Sequence, residues 1–232
     1  MAKAEVPRRR DPEDTRRRVL DAAIATVIDV GYYKASSNEI ARRAGVTWGS
    51  IQHLFGSREQ LMLDVVNDIG ARMGREFADA TIEGSTLEER LHAVLDVLAT
   101  HYEQDTYLTQ MQILLDLSAN PKMSARSRRA IRRKTGDEFD TIAYPLLAKA
   151  LGDAAAEQDL VLYAFMTLRG YLASFAVSRL IIELREDAVT RLIAGNTDED
   201  VLRDLLVRGI AAAVRDEARR RGYPMDEASV TS

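Results

Sequence analysis

No cysteine occurs in this 232-residue chain. That excludes a disulfide framework and any thiolate nucleophile or ligand, and it suits a reducing, cytoplasmic setting. Runs of β-branched residues bounded by turns are also missing, and every strong periodic signal is helical, so the expected fold class is all-α. The N-terminus is charged and has no apolar core segment, so no signal peptide is expected. No glycine-rich phosphate loop, serine elbow or His-Glu-x-x-His pair is present. Glu89 and His92 form one Glu-x-x-His, half of what a ferritin-like di-metal site uses, but such a site needs a second pair. The other histidines, His53 and His101, have no glutamate three residues before them. A metal-dependent helical-bundle enzyme is therefore the weakest functional class, and no catalytic residue, metal ligand or cofactor is assigned. Leu160 to Ser178 is apolar and about long enough to span a bilayer. Arg169 at its centre would cost roughly 2.5–3.5 kcal/mol there. A buried helix shared between a bundle and a dimer interface is the better reading.

The net charge of −4 is unevenly distributed. Residues 1–60 hold eleven Lys+Arg against eight Asp+Glu, a balance of +3. The remaining 172 residues hold 21 against 28, a balance of −7. Attraction for a polyanion acts within about a Debye length, ~8–10 Å, so the local sign decides, and the N-terminal end is the basic one. Arg8, Arg9 and Arg10 form a flexible basic arm over residues 1–10. It either follows a phosphate strand or enters a minor groove, or is a solvated tail.

What the chain does contain is concentrated in Ser36–Phe55, SSNEIARRAGVTWGSIQHLF. Ser36 with Glu39 reads as a capping box, the hydroxyl serving one orphan amide and the carboxylate reaching back to the cap. Ile40, Ala41 and Ala44 share one face. Gly45 supplies the left-handed residue that ends the helix, Val46 enters the core, and Thr47 caps a second helix. Upstream, Asp11 caps a first helix with Pro12 at its first position and acids facing its positive end. Gly31 ends it. Downstream, Gly56 breaks the chain and Ser57 with Gln60 reads as a second capping box. This is helix-turn-helix grammar, whose second helix enters a DNA major groove.

The order GYYKASSNEIARRAGVTWGSIQHLFGSREQLMLDVV resembles the DNA-binding domain of tetracycline-repressor-type (TetR family) transcriptional regulators. Gly31-Tyr32, Ile40-Ala41, Ala44-Gly45-Val46, Gly49, Phe55 and Ser57-Arg58-Glu59 with Leu61 carry the resemblance over roughly residues 15–66. Gln52 stands where the family usually has an aromatic residue, and Trp48 where a small or basic one is commoner. The resemblance implies a ligand-responsive repressor: a homodimer released from a palindromic operator in double-stranded DNA by a small-molecule effector. A non-catalytic helical interaction protein is the main alternative. The implied organisation is a DNA-binding domain at 11–57, a ligand-binding and dimerisation domain at 58–224, and a disordered tail at 225–232.

Within the motif, Gln52 is the best base reader, because its amide matches adenine N6 and N7. Thr47 and Ser50 lie in the first turn, where hydroxyls and free amides bind phosphate. Trp48 packs on sugar or a thymine methyl, or else covers the helix junction. Gly49 allows close backbone approach to the duplex, or packs on the preceding helix. His53 either reaches a phosphate or is a solvated surface residue, and Arg58 is a phosphate clamp, with Tyr33, Lys34 and Ser36 as lesser contacts before the motif. Arg42 and Arg43 rank lower, being solvated charges as readily as DNA-backbone contacts. The basic run from Arg126 to Lys134 reads as a solvated helix face rather than a second DNA site.

Beyond residue 58, apolar stripes predict helices near 58–80, 87–104, 107–119, 122–150, 156–185 and 198–221, with Pro145 interrupting the fourth. The last two are the expected dimer interface. Leu160, Ala164, Leu168, Tyr171, Phe175 and Ile182, with small Gly170, Ala173 and Ala176, face Val201, Leu205, Ile210, Ala213 and Val214 in a four-helix bundle. An apolar effector, with a carboxylate or other polar end, is expected to meet Phe77, Leu98, Tyr102, Met111, Leu115, Phe139, Tyr144, Phe165, Met166 and Arg169. For each of these residues the alternative is plain core. Arg169 is the sharper case, since a charge in an apolar stripe needs an acidic ligand or a resident acid.

Overall fold

A computed structural model describes residues 11–184 and 198–223. The arm at 1–10, the tail at 225–232, the break expected at Gly195-Asn196 and the side chains of Lys134 and Ile182 lie outside the described residues. Among the described residues every regular element is helical: α1 (Pro12–Val30), α2 (Ser37–Ala44), α3 (Trp48–Phe55), α4 (Arg58–Ala78), α5 (Leu87–Tyr102), α6 (Asp105–Ala119), α7 (Ala125–Glu138), α8 (Tyr144–Leu151), α9 (Gln158–Leu184) and α10 (Glu199–Arg220). The long segment expected at 122–150 is divided. After Glu138 the chain makes a π-helical turn over Phe139–Ala143, and Pro145 sits in the first turn of α8, where its missing N–H leaves no bond unmade.

Contacts divide the chain into two compact units, one of residues 1–69 with 109–131 and one of 70–108 with 132–232. This partition does not follow the expected boundary at 57/58. The first half of α4, the second half of α6 and the start of α7 belong with the helix-turn-helix. The reason is apolar burial: Leu61, Met62, Val65 and Val66 of α4, Ile113 and Leu117 of α6, and Met123 complete a core with Val19, Ala23, Ile40, Ile51 and Phe55. Fully burying such side chains is worth roughly 1.5–3 kcal/mol each, and α2 and α3, at eight residues apiece, are too short to stand alone.

The second unit packs α5 against α8, α9 and α10. Leu91, Val94, Leu95, Leu98, Leu147, Leu151, Leu168, Val207, Ile210 and Val214 are buried in it. Buried Arg90 is held by two carbonyls, its Nε donating to Ala150 at 2.8 Å and its Nη1 to Gly84 at 3.2 Å. Charged pairs line the α5–α10 contact: Glu88 with Arg215, and Asp96 with Arg203. Glu89 and His92 are not joined in a site. The Glu89 carboxylate accepts from the Ser85 and Thr86 amides in a capping box, while His92 Nε2 lies 3.8 Å from Asp204 Oδ1. No group of three or more potential metal ligands occurs among the described residues.

Helix α9 is long and apolar enough to cross a membrane by length and hydropathy. Its Leu160, Val161, Ala164, Leu168, Leu172 and Ala176 are buried. This corrects part of the expected dimer face, because Leu160, Ala164, Leu168, Ala176, Ile210 and Val214 pack within the chain itself. The exposed apolar rows are Leu162, Met166, Gly170 and Val177 on α9, and Val201, Leu205, Gly209 and Ala213 on α10. Half-buried Tyr171 and Phe175 pack with their rings tilted, 4.7 Å between centroids.

Candidate nucleic-acid interface

The turn between α2 and α3 is built by local hydrogen bonds. Gly45 adopts φ 63° and ψ 39°. The Gly45 amide donates to the Arg42 carbonyl at 3.2 Å and the Val46 amide to the Ala41 carbonyl at 3.0 Å. That is a Schellman ending, which a left-handed glycine permits without strain. From α1, Arg18 Nη2 donates to the Ala44 carbonyl at 2.8 Å, closing the same end. Thr47 Oγ1 then accepts the Ser50 amide at 3.2 Å and lies 3.0 Å from Ser50 Oγ, starting α3.

Helix α3 therefore has an inner and an outer face. Ile51 and Phe55 are buried, while Thr47, Gly49, Ser50, Gln52 and His53 are exposed on the same short helix. A Cβ added at Gly49 would meet only Thr47 Oγ1, at an ordinary 3.7 Å, so packing on α2 does not require glycine there. Trp48 is half-buried and packs against the core of this unit. Tyr33, Lys34 and Ser36 are exposed ahead of α2. The Asp116 carboxylate faces the Tyr33 hydroxyl and, by hydrogen bonding and by charge, pushes that phenol's pKa up.

Two expected capping boxes form only by half. Ser36 Oγ accepts the Glu39 amide at 3.2 Å, but the Glu39 carboxylate turns forward to Arg42 and Arg43. Hydrogen bonds from these two guanidiniums hold its pKa down to about 2. Ser57 Oγ likewise accepts the Gln60 amide at 3.1 Å, while the Gln60 side chain donates to Asp64 Oδ1 at 2.8 Å. In each case a charged partner one helical turn ahead outcompetes the cap's neutral amide. Arg43 also pairs with Asp29, so Arg42 and Arg43 are both neutralised locally.

Arg58 requires the main correction. Its Nη2 donates to the Tyr32 carbonyl at 2.8 Å and to the Ala35 carbonyl at 3.3 Å, and its guanidinium carbon lies 4.4 Å from the Tyr32 ring centroid. The guanidinium is committed to holding the α1–α2 connection, not extended as a free clamp. Sequence reasoning missed this because the acceptors are main-chain carbonyls more than twenty residues away.

A pattern-based model for the bacterial TetR family of regulatory proteins matches residues 19–65. Residues 19–65 thus carry a TetR-type DNA-binding domain. The BetI transcriptional regulator of Agrobacterium fabrum is 33% identical over 82 residues, 35% of this chain and 40% of that protein. The chain spans less than half the length of the curated relatives it matches. Two solved structures cover most of it. The multidrug binding protein EbrR aligns at TM-score 0.54 and 21% identity over 90% of this chain and 96% of its own. NalD, the secondary repressor of a multidrug efflux pump in Pseudomonas aeruginosa, aligns at TM-score 0.51 and 17% identity over 87% and 96%. At such identities these neighbours establish the fold of the second unit, all-helical behind the helix-turn-helix.

The expected effector residues are divided between the two units. Met111 and Leu115 belong to the first unit and the other eight to the second. Leu115 is 65% exposed and Met166 53% exposed, so neither lines an interior. Phe77, Leu98 and Tyr102 are buried, and Phe139 lies 5.7 Å from Phe165 and 6.4 Å from Tyr144 between ring centroids. The Tyr144 hydroxyl donates to the Ala155 carbonyl at 2.8 Å. Two residues the sequence reading did not assign join this interior: His101 and Tyr107 pack with Phe77 and Tyr102, the two tyrosine rings 4.4 Å apart. Arg169 makes no ion pair or side-chain hydrogen bond with a described residue, and the group it influences is the Tyr107 phenol.

Proposed function

We propose that this protein is a ligand-responsive, dimeric transcriptional regulator that represses by occupying a palindromic operator in double-stranded DNA. The observation that carries the reading is the outer face of α3, where Thr47, Gly49, Ser50, Gln52 and His53 stand exposed above buried Ile51 and Phe55. Gln52 reads a base edge, Thr47 and Ser50 take phosphate, Gly49 lets the backbone approach, and Trp48 covers the junction and presents its edge to the groove. Tyr33, Lys34, Ser36 and His53 hold flanking phosphates. Arg58 acts by fixing the entry to α2.

Dimerisation is assigned to the exposed apolar rows of α9 and α10, which a second copy would cover as a four-helix bundle. Pairing is needed because two recognition helices must enter major grooves about 34 Å apart. The effector is assigned to the second unit, beside Phe139, Phe165 and the aromatic cluster at His101. It is a largely apolar small molecule with an acidic end for Arg169, whose guanidinium has no resident acid among the described residues. Its binding would favour a head spacing that no longer matches both half-sites. No enzymatic role and no cofactor are assigned, and the setting is the cytoplasm.

Genome-wide capture of bound fragments tests this. The expected result is enrichment of a two-fold symmetric sequence with half-site centres one helical turn or a multiple apart. Recovery of no enriched sequence would reject the reading in favour of a helical interaction protein.

A further inference from the structure

Among the described residues, most cations of the first unit are already engaged. Arg16 pairs with Asp64, Arg17 with Asp14, Arg42 with Glu39, and Arg43 with Glu39 and Asp29. Arg18 and Arg58 donate to main-chain carbonyls. Arg128 does the same at the end of α6, reaching the Asn120 carbonyl at 3.3 Å and the Pro121 carbonyl at 3.2 Å. Lys122, Arg126 and Arg129 differ. All three are exposed, and none makes a side-chain hydrogen bond or ion pair with a described residue.

Their position is fixed by the opposite face of the same segment. Met123 is buried, Ser127 is buried with its hydroxyl donating to the Glu59 carboxylate, and Ile131 packs on the core that also holds Ile40, Ile51 and Phe55. Arg126 and Arg129, three residues apart on α7, share its exposed face, and Lys122 is exposed in the turn just before it. Neither Glu59 nor Asp116 forms an ion pair with them: Glu59 accepts from the Ser127 hydroxyl and Asp116 faces Tyr33. A groove of about 440 Å³ bounded by Tyr33, Arg58, Asp116, Asn120 and Pro121 separates this segment from the entry to α2. Lys34 follows one wall of the groove in sequence and Lys122 follows the other. Exposed cations therefore continue past the α2 entry onto the α6–α7 turn.

We propose that Lys122, Arg126 and Arg129 form a second phosphate-binding row, which takes the backbone of duplex DNA flanking the half-site read by α3. The proposal rests on the DNA-reading assignment of α3 and extends the footprint outward from it. The row carries no base information. It adds affinity on long duplexes and steepens the dependence on salt, because each neutralised phosphate releases counterions.

The test uses the full chain and a fluorescein-labelled, mixed-sequence duplex of about 40 bp, titrated between about 50 and 200 mM salt. For the triple variant Lys122→Ala, Arg126→Ala, Arg129→Ala, the slope of log K against log salt should fall by about 2–3, at roughly 0.9 per lost contact. The charge-retaining variant Arg126→Lys, Arg129→Lys should keep the wild-type slope. Circular dichroism identical to wild type would separate this loss from misfolding. A triple variant that binds with an unchanged slope overturns the row alone. So does one that keeps its duplex slope and instead loses binding to phosphatidylglycerol-containing vesicles, which would make the row a lipid-facing surface. A wild-type protein without affinity for any duplex overturns the α3 reading, and the row with it.

Discussion

Arg58 and Tyr32 hold one another twice: the guanidinium lies 4.4 Å from the ring centroid and donates to the same residue's carbonyl at 2.8 Å. The Tyr32 amide in turn donates to Gln112 Oε1 at 3.3 Å, so a residue of α6 fixes the same joint. The base of α4 and the turn before α2 are thus one mechanical unit, set by contacts distant in sequence.

Arg58→Ala should accordingly act on stability before it acts on DNA. Hydrogen bonds from a charged group are worth about 1.5–3 kcal/mol and an exposed cation–π contact about 0.5–1. With the guanidinium only half-buried, a loss of about 2 kcal/mol is expected. Arg58→Lys keeps the charge but loses the forked donors, so it should fall between the two. Thermal unfolding measures the loss, and a salt titration of DNA binding supplies the check: the slope should stay at the wild-type value. A shallower slope with unchanged melting would restore the direct phosphate role.

Gln52 and Gly49 separate base reading from backbone approach. Both are exposed, and an added methyl at residue 49 meets nothing closer than 3.7 Å within the protein. Gln52→Ala should leave melting unchanged and relax discrimination by ~1–3 kcal/mol at one base pair per half-site. Gly49→Ala should hold or raise stability, as alanine is favoured in a helix by up to about 1 kcal/mol, while weakening binding to every sequence. Competition binding with single-base-pair operator variants distinguishes the two patterns. Equal discrimination by wild type and Gln52→Ala would remove Gln52 from the reading set.

The sequence made legible those features that depend on a few neighbouring residues. Asp11, Ser36 and Thr47 cap where their side chains meet amides two or three residues on, and Gly45 takes the one conformation its turn requires. Destinations of long side chains were not legible. Glu39 has an amide behind it and two guanidiniums ahead, and only the folded geometry decides between them. The core partnership of Ile113, Leu117 and Met123 with the helix-turn-helix spans more than fifty residues and leaves no local signal. Helix α9 failed for a different reason. It is apolar on both faces, so periodicity cannot say which face packs inside the chain.

His101 predicts a pH dependence. It is 5% exposed among Phe77, Tyr102 and Tyr107, and burial lowers its pKa to about 4. The folded state therefore keeps the ring neutral where the unfolded chain, near 6.5, binds a proton. Between those values the unfolded state holds more protons, so stability rises with pH and the penalty accumulates as pH falls from 6.5 toward 4. Fully developed, a shift of that size corresponds to about 3 kcal/mol. Denaturant unfolding of wild type and His101→Phe across this range should show the wild-type curve falling more steeply on acidification. Parallel curves would mean that the ring protonates in place.

Met166 and Leu205 decide whether the apolar rows of α9 and α10 meet a second copy. Each is 53% exposed, yet each continues a helical stripe whose other members are also apolar or small, Leu162, Gly170 and Val177 on one helix, Val201, Gly209 and Ala213 on the other. Glycine and alanine in such rows let helix axes approach to about 8–10 Å. Polar substitution at a solvent-facing position normally shifts stability within about 0.5 kcal/mol, so Met166→Glu and Leu205→Glu would be silent in a monomer. At a covered two-fold interface each introduces two buried charges, one from each copy, and both variants should sediment as monomers at concentrations where wild type is dimeric. Their heads retain every α3 residue, so binding to a single half-site should persist while affinity for the full palindrome collapses. Dimeric sedimentation of both variants would move the interface off α9 and α10.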